Sequence, residues 1–179
     1  MEREDKKMGW GRGLVWVVVL GLLAVVALRL RTAQLGAVQP GDAAPAFTLI
    51  TFDGEEIGPE DMAGKVVVVN FWAAWCKPCE QEAAHLQDAW ELYAGRGDVL
   101  LLGVDYADTE RPAKLYLQKF DITYPNGPDL GTRVSQAFRI TGVPETYVIG
   151  KDGVLTFVKF GPFISLEELT TVIDAALAP

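Results

Sequence analysis

The only two cysteines of this 179-residue chain, Cys76 and Cys79, stand as W-C-K-P-C directly behind an apolar, mostly β-branched run from Val66 to Trp72. A helix-forming stretch begins at Glu80. That order predicts a buried strand, a short turn and a helix, with Cys76 near the helix N-terminus. Unpaired backbone N–H groups and the positive end of the helix dipole favour a thiolate there. Two intervening residues also let the pair close on itself, so the segment encodes a reversible two-electron switch. Two plainer readings are weaker. Structural zinc takes four Cys or His ligands, and this chain has two Cys and one His. A purely structural disulfide across so short a loop gains little from closure.

The N-terminus has a different character. Leu14 to Leu28 runs without a charge, about 22 Å as a helix against a hydrocarbon core of about 30 Å. Trp10, Gly11, Gly13 and Leu30 extend it, with Arg12 and Arg29 snorkelling toward headgroups. Arg3, Lys6, Lys7 and Arg12 precede the run and only Arg29 and Arg31 closely follow it, an excess that favours an inside N-terminus. No small-x-small cleavage site follows, so an uncleaved signal anchor is expected rather than a cleaved signal peptide. The expected division is a cytoplasmic N-terminus at 1–13, a single-pass transmembrane anchor at 14–30, a linker at 31–45 and one extracytoplasmic domain at 46–179. Residues 1–37 hold six Lys/Arg and three Asp/Glu, whereas 38–179 hold ten and 21. So acidic a domain repels nucleic acid and anionic headgroups and would steer cationic partners toward it.

Along the domain, Phe47–Phe52 and Glu55–Ile57 flank Asp53-Gly54 as a hairpin. Val66–Trp72 and Val99–Val104 read as buried strands. Ala83, Leu86, Trp90 and Tyr93 recur at helical spacing up to Gly95. Pro112 to Phe120 and Leu130 to Phe138 read as helices, with Thr146–Ile149 and Val154–Phe160 as a second hairpin. Ser165-Leu166-Glu167-Glu168 is a capping box opening a last helix to Leu177. The class is α/β, a central mixed sheet flanked by helices.

These landmarks resemble a thioredoxin-like fold. Specifically, they resemble the membrane-anchored thiol–disulfide reductases of cytochrome c maturation (the DsbE/CcmG, ResA and TlpA group, with a redoxin-type AhpC/TSA domain). The resemblance rests on G-D-A-A-P-A-F-T-L from Gly41, G-K-V-V-V-V-N-F-W-A-A-W-C-K-P-C-E-Q-E from Gly64, G-V-D-Y-A-D from Gly103 and G-V-P-E-T-Y-V-I-G-K-D-G from Gly142. It implies an extra strand–helix insert between Cys79 and Pro144, besides the N-terminal hairpin. It implies no cofactor. The electron donor implied is a membrane thiol–disulfide carrier of the CcdA/DsbD kind, and the client an apocytochrome c. Asn70 stands where plain thioredoxins usually carry an acid, and Ala84 replaces a common helical proline.

Cys76, the more exposed thiol by expectation, is the candidate nucleophile, with Lys77 alongside to favour negative charge. Cys79 is placed to resolve the mixed disulfide, and Pro78 stiffens the turn. The resemblance makes Pro144 a cis-proline facing the dithiol, leaving the Val143 backbone free to pair with a client. Glu145 is expected to line the same groove and regulate thiol pKa values, with Glu82 the second proton-handling candidate; ordinary surface glutamates are the plainer reading of both. Trp75 shapes the exposed rim and Trp72 packs in the core. His85 is expected to be idle.

Other functions on this fold fit less well. Peroxide chemistry generally needs a Thr or Ser where this chain has Ala73. Copper delivery wants a distant histidine, and His85 lies on the helix that follows the pair. Reduction of copper-site cysteines in oxidase assembly is the alternative client assignment.

Overall fold

The computed structural model describes residues 5–33, 36 and 38–178. It divides into two units, Met1–Gly36 and Ala37–Pro179. Positions 1–4 of the expected N-terminal segment and 34, 35 and 37 of the expected linker lie outside the described residues.

The first unit is one helix, α1 (Asp5–Ala33). Side chains are described over 13–27, and all of them are exposed, Trp16 at 65% and Val17 at 70%. Among the described residues no helix is long and apolar enough to cross a membrane. The span expected over 14–30 reaches beyond the positions whose side chains are described.

The second unit is built on a five-stranded mixed sheet, ordered β5-β4-β3-β6-β7. Its strands are β3 (Val66–Trp72), β4 (Val99–Tyr106), β5 (Asn126–Asp129), β6 (Glu145–Ile149) and β7 (Leu155–Phe160). β3 is buried at all seven positions, as a central strand covered on both faces must be. It pairs parallel with β4, Val66 opposite Val99 and Trp72 opposite Asp105, and antiparallel with β6, Phe71 opposite Glu145. A two-stranded hairpin, β1 (Leu49–Ile50) with β2 (Glu56–Ile57), precedes the sheet. The helices are α2 (Pro59–Met62), α3 (Lys77–Tyr93), α4 (Glu110–Lys119), α5 (Arg133–Phe138) and α6 (Leu166–Leu177).

Alternation along the strands divides the core in two. Val67, Val69, Phe71, Val104 and Tyr147 pack with Phe138 of α5 and Phe47. Val66, Val68, Leu101 and Val148 meet Leu86 of α3 and Leu169 and Ile173 of α6 on the other face. A third cluster gathers at the ends of β3 and β4, where Trp72, Ala73, Cys76 and Cys79 pack with Ala113 and Tyr116 of α4.

One element was not assigned from the residues, and one begins later than expected. β5 lies in a stretch of turn chemistry, N-G-P-D, to which no element was assigned from the residues, within the region of the extra strand–helix insert that the resemblance implies. It forms at the sheet edge, where Pro128 is tolerated, and it pairs parallel with β4. The helix expected from Leu130 begins only at Arg133. Gly103 has a packing reason: a Cβ there would lie 1.7 Å from Asn126 Oδ1 and 2.9 Å from Trp72 Nε1, the two atoms that bond each other at 2.8 Å.

Candidate active site

Cys76 is the N-cap of α3, with extended backbone angles, and its Sγ accepts the Cys79 N–H at 3.1 Å. A sulfur in that position satisfies one of the orphan donors of a helix start. Pro78 lies in the first turn, where a missing N–H costs nothing. Cys76 and Cys79 are joined in a disulfide with Cα atoms 5.3 Å apart. Both are buried, at 3% and 1% exposure, so in this state Cys76 gains almost no exposure over its partner. Trp75 beside them is 59% exposed and forms the apolar rim, while Trp72 is buried and stacks on Tyr116 at 4.5 Å.

Lys77 does not stand over the sulfur as expected. Its ammonium pairs with Glu80 at 2.9 Å and its side chain is 82% exposed. Lys119 approaches the other Glu80 oxygen at 3.2 Å, and these two lysines hold the Glu80 carboxyl below its ordinary range. The local cationic charge is thus spent on a carboxylate.

Val143 and Pro144 arrive at the site as expected. The Val143–Pro144 peptide bond is cis, and Val143 packs against the Cys76/Cys79 cluster. Glu145 follows them but takes a different place. It is 2% exposed rather than open to a groove. One oxygen accepts the Thr141 N–H at 2.8 Å, the Thr141 hydroxyl at 2.5 Å and the Gly142 N–H at 3.0 Å; the other accepts the Tyr147 hydroxyl at 2.7 Å. Its neighbour Thr146 points at Asn70 beneath α3, so alternation puts Glu145 on the opposite face of the sheet from the helix that carries Cys79. Glu145 clamps the turn leading into Pro144 and does not line an open groove.

Glu82 is the buried acid of α3. It lies one helical turn past Cys79 and is 0% exposed. Its Oε1 accepts Asn70 Nδ2 at 2.7 Å and its Oε2 the Phe163 N–H at 2.9 Å. Burial raises its pKa to about 7, against the opposing pull of those two hydrogen bonds. Desolvation penalises the charged form, so this carboxyl can hold or release a proton near neutrality. The plain reading of Glu82 as a solvated first-turn residue is ruled out by its burial. Asn70 also donates to Thr146 Oγ1 at 2.9 Å, which locks the amide in place below the helix. His85 is half-buried on α3 and takes no part in these contacts.

Sequence reading missed the connection after β4. Asp108 Oδ2 accepts the Ala74 N–H at 2.9 Å, holding the turn between β3 and Cys76. Asp105 is 0% exposed and neither of its carboxylate oxygens has a hydrogen-bond partner. Both lie in the G-V-D-Y-A-D motif from Gly103, whose carboxylates were the available signal. Among the described residues no group of three or more His, Cys, Asp or Glu side chains could hold a metal ion.

Comparison with known proteins agrees with this geometry. The AhpC/TSA family matches residues 40–158. The thiol-disulfide oxidoreductase ResA of Geobacillus kaustophilus is 32% identical over 139 residues, 76% of this chain and 79% of that protein. The ResA of Bacillus cereus is 29% identical over 142 residues, covering 79% and 82%. Among solved structures, a thioredoxin-family thiol:disulfide interchange protein from Chlorobium tepidum superposes with a TM-score of 0.70 at 28% identity, over 79% of this chain and 99% of that one. A putative DsbE from the same organism gives 0.71 at 26% identity, over 79% and 100%. This chain belongs to the AhpC/TSA family and is a thiol-disulfide oxidoreductase of the ResA/DsbE type, with a thioredoxin-like fold and the Cys76–Cys79 pair.

Proposed function

We propose that this chain is a membrane-tethered, extracytoplasmic dithiol reductant of cytochrome c biogenesis, reducing the disulfide between an apocytochrome's haem-attachment cysteines. The observation that carries the reductive direction is the environment of the sulfurs. A low thiol pKa stabilises the reduced pair and makes an oxidant. Here Lys77 is turned away onto Glu80 and a buried acid, Glu82, lies one turn past Cys79. A carboxylate in that place disfavours a second negative charge on sulfur.

In the proposed cycle the Cys76 thiolate attacks a client disulfide sulfur. That bond breaks, a Cys76–client mixed disulfide forms, and one client thiolate leaves. Cys79 gives its proton to Glu82 and attacks Cys76 Sγ. The second client thiolate leaves and takes up a proton, and two electrons have passed from the dithiol to the client. The product is the Cys76–Cys79 disulfide of the structure, which a membrane carrier of the CcdA/DsbD kind reduces again. The backbone at Val143, beside Pro144, is the pairing edge offered to the client.

The tether rests on the charge-free run Leu14 to Leu28, the exposed apolar side chains of α1 and the excess of Lys/Arg before it. Protease applied to intact spheroplasts should then degrade the domain. Deletion of the gene should abolish covalent haem attachment, with rescue by an added small-molecule thiol. Normal c-type cytochromes together with lost copper-oxidase activity would instead assign the client to copper-site cysteines.

A further inference from the structure

The β4–α4 connection brings two carboxylates to the turn that presents Cys76, and they are in opposite conditions. Asp108 is engaged: Oδ2 takes the Ala74 N–H at 2.9 Å and Oδ1 the Thr109 N–H at 2.7 Å. Ala74 sits inside the turn closed by the Cys76 N–H on the Ala73 carbonyl at 3.0 Å. Cys76 in turn receives the Cys79 N–H. A continuous chain of hydrogen bonds therefore runs from Asp108 through the turn to the first cysteine.

Asp105 is the opposite case. It is the last residue but one of β4, in register with Trp72 on one side and Pro128 on the other, and its side chain shares the sheet face of Trp72. It is fully buried and both oxygens are unpartnered. A charged carboxylate in that condition pays desolvation with nothing in return. Neither Trp72 nor Pro128 brings a charge. From α4, Tyr116 stacks on Trp72, while Glu110 and Lys114 pair with each other at the exposed surface. From α3 come the two cysteines of the same cluster. The charge that acts on Asp105 is that of Asp108, three residues on; burial first and that charge second push the Asp105 carboxyl up to about 7.

We propose that Asp105 and Asp108 are a pair of positioning residues for the dithiol turn: Asp108 anchors Ala74 while Asp105 is protonated, and ionisation of Asp105 loosens that anchor. An uncharged Asp105 lets Asp108 keep its negative charge against the Ala74 N–H, where a charge-assisted hydrogen bond is strongest. An ionised Asp105 sets a second, unpaired negative charge close behind it, which favours withdrawal of Asp108 toward solvent. The turn then holds Cys76 less firmly over the start of α3. The pair adds a pH-dependent control on the same site, separate from Glu82, whose hydrogen bonds run to Asn70 and Phe163.

This inference rests on the thiol-disulfide exchange reading, and its test is kept separate from it. The probe is the backbone amide proton resonance of Ala74 in the oxidised domain, followed by NMR as pH rises through about 7. In the wild type the resonance should shift upfield across that range as the bond to Asp108 weakens. In Asp105→Asn, neutral throughout, it should hold its low-pH position. In Asp108→Asn it should lie upfield at every pH, and reduction of a small aromatic disulfide by the reduced domain should slow by about tenfold, the fold-change for a weakened charge-assisted bond. An Ala74 resonance that does not move in the wild type, or that titrates equally in Asp105→Asn, overturns the proposal. Should Asp105→Asn fold poorly, loss of a protonated-carboxyl infrared band in Glu82→Gln, between mildly acidic and alkaline pH and with no accompanying Ala74 shift, overturns it as well. Failure of the wild type to reduce the disulfide would count against the exchange reading alone.

Discussion

Asn70 Nδ2 lies 2.7 Å from Glu82 Oε1, so the amide on the central strand fixes the buried carboxyl one helical turn past Cys79. A group with a pKa of about 7 and a locked position is matched to taking a proton near neutrality. Glu82→Gln keeps the shape but cannot accept that proton. Release of client from the Cys76 mixed disulfide should slow by roughly 10²-fold, and its pH profile should lose the inflection near 7. Rapid-mixing measurement of client release checks both. Formation of the mixed disulfide should change far less.

Glu145→Gln acts on the fold rather than on the thiols. The carboxylate accepts four hydrogen bonds around the turn before Pro144. An amide presents an NH2 to at least one of those donors, and the mismatch should cost about 1–3 kcal/mol. Urea unfolding of the oxidised domain should show a lower midpoint at unchanged slope. Thiolate absorbance against pH should match the wild type, because the carboxylate lies across the sheet from α3.

Gly103→Ala should be destabilising through overpacking. The new Cβ would occupy the space of the Asn126 side chain, breaking its bond with Trp72 Nε1 and loosening Trp72 against Tyr116. A loss of about 1–3 kcal/mol or more is expected, read as a lower melting temperature with a changed tryptophan fluorescence spectrum.

Stability should fall as pH rises from mildly acidic to neutral. Glu82 and Asp105 both have folded pKa values raised to about 7, against ordinary values of 4.5 and 3.8. The folded chain therefore binds more protons than the unfolded chain between about 4 and about 7, so stability declines across that window and the penalty is complete above it. For Asp105 the shift corresponds to a penalty of about 4 kcal/mol as an upper figure. Asp105→Asn should be more stable than wild type at about pH 8.5 by less than that, since its amide is also left without partners, and should show no gain at about pH 4. Thermal melts at the two pH values check the sign.

The sequence was most informative where one local rule acted alone. Val66–Trp72 reads as a buried strand because six of its seven residues are apolar, and Ser165 caps α6 through the Glu168 N–H as the capping box requires. W-C-K-P-C placed the dithiol on a helix start for the same reason. Legibility ended where a side chain's role depends on what lies across the sheet. The residue type at 145 cannot show which face β6 turns toward α3, so a clamp read as a groove acid. The N-G-P-D of β5 has turn chemistry that edge pairing with β4 overrides. Asp105 and Asp108 look like solvated loop acids until β4 is seen to carry one inside and the other against Ala74.

The central claim is that Cys76 attacks and Cys79 resolves. The most direct measurement is capture of an oxidised client peptide by Cys79→Ser and by Cys76→Ser, resolved without reductant and identified by mass spectrometry. The chain has no third cysteine to release a trapped adduct. The account expects a stable client disulfide on Cys76 in Cys79→Ser and little or none in Cys76→Ser. Adducts that accumulate only on Cys79, in Cys76→Ser, would contradict it.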